Sequence, residues 1–242
     1  CCFSIHKSLF PSFSFVFFRY ILLTVVTLLL TTVNVLAQDQ KDALCTWTTM
    51  SFDKSFGNEG KWSAGLMTEY RHKIHEGVSK TDQFFARPRV SYKVLPWMKL
   101  QYQMDFASTS SGFNIRFIPE ITVSHKAGDF SFAFRQRAMT TWKVEKATNS
   151  TILRSRAKVD YHVPQTPVSV HLAVEPYWCE FSKNSFNLFQ KIWWDAGFDI
   201  KVADGLVLRP EYVCQAYYNH AARYNRRTYD DHIFYMTFVI KL

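Results

Sequence analysis

The feature that most constrains this chain is an alternation of apolar and polar residues, in runs of roughly ten separated by turns, from near residue 61 to the carboxyl terminus. From Phe113 to Ser124 the apolar side reads Phe113, Ile115, Phe117, Pro119, Ile121, Val123, and the polar side Asn114, Arg116, Glu120, Thr122, Ser124. Ile118 breaks the rule. A period of two puts successive side chains on opposite faces of a strand. A soluble sandwich alternates as well, but its polar face is the outer one and seldom carries Arg and Glu in the middle of nearly every strand. Charge at mid-strand beside an apolar face is the pattern of a barrel that turns its apolar side to lipid and its polar side to a lumen.

Eleven runs can be drawn: 44–52, 61–72, 82–94, 97–106, 113–125, 130–139, 151–163, 168–178, 191–202, 206–216 and 232–242. The expected fold is all-β, a transmembrane antiparallel up-and-down β-barrel of about 10–12 strands. Single-chain bacterial barrels use even strand numbers. Eleven runs therefore imply either that 44–52 is less than a strand or that another strand lies near the amino terminus. The connectors KVLPW, HKAGD, HVPQTP and VADG are tight, whereas HKIHEGVSKTD, WKVEKATNS, CEFSKNSFNLF and YYNHAARYNRRTYDD are longer and more polar. Short turns belong in the periplasm and long loops outside, so the last strand is expected to end at Leu242 on the periplasmic side.

Ahead of the alternating part, Ile21 to Val33 is an apolar run preceded by Lys7 and Arg19 and followed by Val35-Leu36-Ala37, a small-residue cleavage site before Gln38. Residues 1–37 are read as an export signal peptide and 38–242 as one barrel domain. The competing reading is an uncleaved helix from Phe15 to Val35. No Met precedes Met50, so the first residues are read as an over-extended start or a fragment and carry no argument. Lys and Arg total 29 against 20 Asp and Glu, an excess that would suit nucleic acid if it were clustered. Here the basic residues alternate along strands, which argues against that partner. Trp62, Trp97, Trp142, Trp178, Trp193 and Trp194 fall near run ends, where two interfacial girdles would sit. After residue 37 the cysteines are Cys45, Cys179 and Cys214, an odd set without a CxxC, and Cys214 falls on the lipid side. His162 and His171 each stand alone in an alternating run, so neither a metal nor a cofactor is expected.

The apolar face, with residues such as Leu66, Phe84, Leu100, Leu172, Trp194 and Phe238, is nearly free of charge. An Arg or Lys facing lipid at mid-depth would cost about 2 to 4 kcal/mol. The opposite face carries a charge ladder: Glu69, Arg71, Arg87, Arg89, Asp105, Arg116, Glu120, Arg135, Arg137, Arg154, Arg156, Asp160, Glu175, Asp195, Arg209 and Glu211, with Lys99, Lys158, His171 and Asp199 in the same alternation. Two readings of the ladder stay open. Opposite charges cross-link and fill a narrow lumen, or surplus cations leave a wet passage that favours anions. Pro88, Pro119, Pro176 and Pro210 sit within strands on the lipid side, each beside an inward charge. Proline cannot donate to a ladder, so the four mark either a ring of local bends or simple tolerance near strand ends.

The segments SFGNEGKWSAGLMTEYRH, FFARPRVSYKVLPWMKLQYQMDF and LRSRAKVDYHVPQTPVSVHLAVEPYW, followed by LRPEYV and DDHIFYMTFVIKL, resemble the domain of unknown function 2490 family, predicted outer-membrane barrels of Bacteroidetes-type bacteria. The resemblance covers nearly all of residues 38–242 and implies location and fold, with no activity or catalytic residue attached. Leu242 departs from the terminal aromatic that barrel assembly prefers, while Phe234 and Phe238 keep the alternation. The expected function is that of a non-enzymatic barrel in the Gram-negative outer membrane, either a narrow anion-biased pore or a structural, surface-binding barrel. The alternative is a lipid-modifying enzyme of phospholipase or acyltransferase type, which needs a nucleophile and a base at the lipid face. The outward polar residues Thr68, His72, Gln136, Thr151, Ser155 and His232 form no Ser/His/acid set by strand position, and no catalytic residue is assigned. A soluble periplasmic sandwich is the third reading. In the last long loop Arg223, Arg226 and Arg227 accompany Tyr and Asn, a mix suited to anionic surface groups. Outer-membrane lipid, lipopolysaccharide phosphates and small anions are the expected partners.

Overall fold

The computed structural model describes residues 43–75, 78–110, 112–178, 189–219 and 226–242. The export signal expected at residues 1–37 and Cys179 lie outside them. Eleven strands run β1 (Ala43–Phe56), β2 (Trp62–His75), β3 (Val78–Leu95), β4 (Met98–Thr109), β5 (Gly112–Ala127), β6 (Phe130–Lys143), β7 (Thr148–His162), β8 (Val168–Trp178), β9 (Phe189–Ala203), β10 (Leu206–Asn219) and β11 (Arg226–Lys241). They close into one barrel in sequence order, with β1 beside β11. The described residues include no helix long and apolar enough to cross a membrane.

The eleven strands match the expected 10–12, and their odd number overturns the inference that 44–52 is less than a strand or that another strand lies near the amino terminus. Consecutive strands alternate in direction, so in an odd ring the first and last run the same way and can meet only as a parallel pair. β1 and β11 do so from Ala43↔Asp231 to Asp53↔Lys241, while every other neighbour is antiparallel. The run at 44–52 is thus a full strand, and closure needs no twelfth. Parallel bonds are slanted and slightly weaker per residue, and this seam is braced from inside. Cys45, Trp47, Val213 and Ile233 form a buried cluster with Trp193 and Tyr235 packed against it. Trp47 meets Tyr235 edge-on at 5.6 Å. Tyr235 donates to Glu69 of β2 at 2.7 Å, over the top of β1.

One end of the barrel holds the tight links and Leu242. There, in the Asp204–Gly205 turn, Lys201 donates to Asp204 at 2.7 Å and holds that carboxyl below its usual range. The other end holds Ala43 and the connectors expected to be long. Most of those connectors prove to be strand. Pairing continues through Ile74↔Ser79 and His75↔Val78, through Lys143↔Thr148, and through Asn219↔Arg226. Arg226 and Arg227 accordingly open β11 and are not loop residues; their side chains, and Arg223 altogether, lie outside the described residues. Polar composition marks where the chain leaves the apolar belt, not where the backbone ladder stops. Strands of 11 to 18 residues exceed the roughly 9–11 needed to cross a bilayer.

The four prolines share a geometry. Beside each one the ladder to a single neighbouring strand skips two residues and then resumes in the same register. The breaks fall between Ala86↔Phe106 and Arg89↔Gln103, between Phe117↔Thr140 and Glu120↔Arg137, between Arg154↔Tyr177 and Ala157↔Val174, and between Leu208↔Ile200 and Glu211↔Gly197. These are gaps and not bulges, because no residue is inserted. On the opposite side of each proline the pairing is unbroken. Each gap is therefore the trace of one missing N–H.

Alternation places the faces as the sequence predicts. Leu66, Phe84, Leu100, Phe134, Leu172 and Trp194 are exposed on the outside. Glu69, Asp105, His171 and Glu175 are 1–2 % exposed on the inside. Ile118 keeps its inward parity and is buried. Trp193 corrects the girdle expectation, since it faces the lumen against Trp47 and Tyr177. Trp62, Trp97, Trp142 and Trp194 remain outside and exposed.

Candidate functional site

The lumen holds a cavity of about 370 Å³ whose wall joins the charge ladder to glutamines and to the aromatics Trp47, Tyr177, Trp193 and Tyr235. Eleven strands stand between eight, where side chains fill the bore, and the 16–18 of open channels. Of the sixteen ladder residues expected, fourteen line this cavity; Asp160 and Asp195 sit in the wall but not on the cavity itself. Period two fixes which face each residue takes, but the partners follow from reach. Arg side chains commonly pass over one strand to the next.

Glu69 is held by Arg71 and by a two-bond contact from Arg87 at 2.7 and 3.0 Å. Arg87 also faces Asp105 at 3.4 Å. Glu175 on β8 takes Arg154 at 3.0 Å and, across β7, Arg135 at 3.1 Å. Glu120 is bonded by Arg137. Arg156 reaches over β8 to Asp195 at 3.0 Å, and Arg209 pairs with Asp199. Charge-assisted, two-bond contacts of this kind are strong and directional. Replacing one partner alone leaves a buried charge uncompensated.

Two glycines make such second-neighbour contacts possible. Gly197 on β9 lies between His171 and Glu211 in the register, and His171 Nε2 stands 3.0 Å from Glu211 over it. A Cβ at Gly197 would come within 2.6 Å of the Pro210 carbonyl and 2.7 Å of Glu211 Cγ. Gly65 on β2 plays the same part between Asp53 and Arg89, which pair over it at 3.0 Å. A Cβ there would collide with the Asp53 carboxylate.

His171 does not stand alone, as the sequence implied. It is gathered with Asp195 and Glu211, and on its other side with Asp160 and Asp199. Each of those four carboxylates is already engaged by a cation, Arg156, Arg209 or Lys158. Alternation also left several lumen residues unnamed: Lys73, which pairs with Asp231 at 3.2 Å, Lys191, and the aromatics Trp47, Phe85 and Tyr177. Lys191 shares the parity of Trp193 and Asp195, so carrying the β9 alternation two residues back would have found it. The inward aromatics had no such signal, because an apolar residue on the polar side reads only as a break in pattern.

Cations and carboxylates do not match throughout. Among the described residues no carboxylate lies within 4 Å of Lys99 or Lys191, and Arg116 reaches Asp105 only at 4.0 Å. On the outer face, Ser155 donates to Gln136 and accepts from Trp178, and the His232 ring meets the Tyr212 hydroxyl at 2.7 Å. Ser155 has no base among these partners.

The profile of the family described as protein of unknown function DUF2490 matches residues 44–226. Among solved structures, the NanC porin in a rhombohedral crystal form is similar, at 13% identity and a TM-score of 0.49, over 78% of this chain and 91% of that one. No curated protein matches the chain.

Proposed function

From the premise that this chain belongs to the DUF2490 family, we propose that it is a non-enzymatic outer-membrane β-barrel whose lumen is a narrow, positively biased passage for small anions, held open by a cross-linked frame. A wall that exposes Leu, Phe and Trp outward while burying Glu, Asp and Arg inward suits an apolar surrounding, and the export signal read at residues 1–37 agrees with that address. The observation that carries the pore reading is the cavity lined by cations that outnumber their carboxylates, with Lys99, Lys191 and Arg116 left over. A charge ladder that served only as a cross-link would be expected to balance. Ser155 and His232, committed to Gln136, Trp178 and Tyr212, give no support to the lipid-modifying alternative.

The test is conductance of the full chain, extracted from membranes in detergent and reconstituted in planar bilayers under a KCl gradient. The expected result is a small steady conductance with a reversal potential on the chloride side. A folded, heat-modifiable barrel that stays silent would overturn the passage and leave a structural frame.

A further inference from the structure

Two of the three leftover cations, Arg116 and Lys191, lie toward the end of the barrel that holds Ala43, together with Arg71 and Arg154. Arg71 lies four residues from the end of β2, Arg116 four from the start of β5, Lys191 two from the start of β9, and Arg154 six from the start of β7. Aromatic rings hold all four. The Arg71 guanidinium sits 3.6 Å over Trp47 and 4.6 Å over Phe85, and Arg116 sits 5.0 Å over the same Phe85 ring. Across the bore Arg154 sits 4.1 Å over Tyr177 and 5.0 Å over Trp193, and the Lys191 ammonium 4.4 Å over Tyr177. The Trp47–Trp193 contact at 5.5 Å joins the two halves.

A ring face attracts a cation without accepting an N–H bond in the way a carboxylate does. The rings therefore fix these groups in place without using up their donors, of which Arg71 gives some to Glu69 and Gln83 and Arg154 some to Glu175. Among the described residues, the buried Arg116 Nε, Arg154 Nε and Trp193 Nε1 have no hydrogen-bond partner, and Lys191 donates to Gln215 alone, at 3.1 Å. The carboxylates at this level are shared: Glu69 between Arg71 and Arg87, and Glu175 between Arg154 and Arg135. Buried donors without acceptors are costly, and native structures leave few of them.

We propose that this half of the lumen is a binding site for the carboxylate or phosphate group of a small solute, built by Arg71, Arg116, Arg154 and Lys191 on a frame of aromatic rings. An oxyanion here gains fixed N–H donors and a net positive charge in a partly dried cavity. The site rests on the reading that solutes reach the lumen.

Isothermal titration of the detergent-solubilised full chain with inorganic phosphate, at constant ionic strength, tests it. Saturable binding, displaced by succinate, is expected, and the double variant Arg116→Gln, Lys191→Gln should weaken it by at least about tenfold. Lys201→Gln removes an exposed cation near the opposite end that does not line the cavity, and should leave affinity unchanged. Both variants must keep the heat-modifiable mobility of a folded barrel. Absence of saturable binding, or equal binding by the double variant, overturns the site. A barrel that binds phosphate but conducts nothing overturns the passage and leaves the site standing; conduction without phosphate binding does the reverse.

Discussion

At the scale of the residue, the lumen contains two kinds of charge that should respond oppositely to removal. Glu69 neutralises Arg71 and Arg87 while itself 1 % exposed, so Glu69→Gln leaves two buried guanidinium groups short of a partner. The expected cost is about 3 to 5 kcal/mol, read as a fall in the midpoint of urea unfolding followed by gel mobility. Arg116→Met removes a cation whose nearest carboxylate is 4.0 Å away, and the barrel should be as stable or more so. Which residues face inward was legible in the sequence, because parity alone decides it. Which ones meet was not. Arg135 and Glu175, Arg156 and Asp195, and His171 and Glu211 each join strands two apart, and the contact depends on side-chain length and on a bare backbone such as Gly197 in between. The rings under Arg71 and Arg154 were illegible for a further reason: an inward Trp47 or Phe85 looks the same in sequence as an error in the alternation.

At the scale of the element, each strand was visible as a run, and its end was not. Apolar alternation reports the part of a strand that lies against an apolar medium, and hydrogen bonding carries β2, β3, β10 and β11 past that limit. The prolines act at this level as well. Each opens its two-residue gap on one side only, and a lumen ion pair spans or borders the gap: Arg87 with Asp105 beside Pro88, Glu120 with Arg137 beside Pro119, Glu175 with Arg154 beside Pro176, and Arg209 with Asp199 beside Pro210. The wall is thus closed from inside where its backbone ladder is open. Each proline leaves a carbonyl on the facing strand without its ladder donor, that of Phe198 in the case of Pro210. Pro210→Val supplies the absent N–H, and the amide at position 210 should be protected from exchange, with a gain of about 0.5–1.5 kcal/mol in stability. An amide at 210 that exchanges as freely as one in a turn would mean that the gap is not the proline's doing.

For the whole molecule, the decisive feature is the parallel seam. Ten of the eleven junctions are antiparallel, and the remaining one carries the weaker bonding pattern. The β1–β11 amides should therefore exchange ahead of those between β2 and β3 in mild denaturant. Trp47→Ala, which strips the brace behind the seam, should widen that difference while leaving β5–β6 protection in place. Equal protection around the ring would show that the brace fully compensates. The seam also settles the travel of the chain. An even barrel returns to the side it started from, but this one enters the wall at Ala43 on one face and leaves it at Leu242 on the other. Set in a membrane, the first and last residues of the wall, Ala43 and Lys241, belong to opposite sides of it.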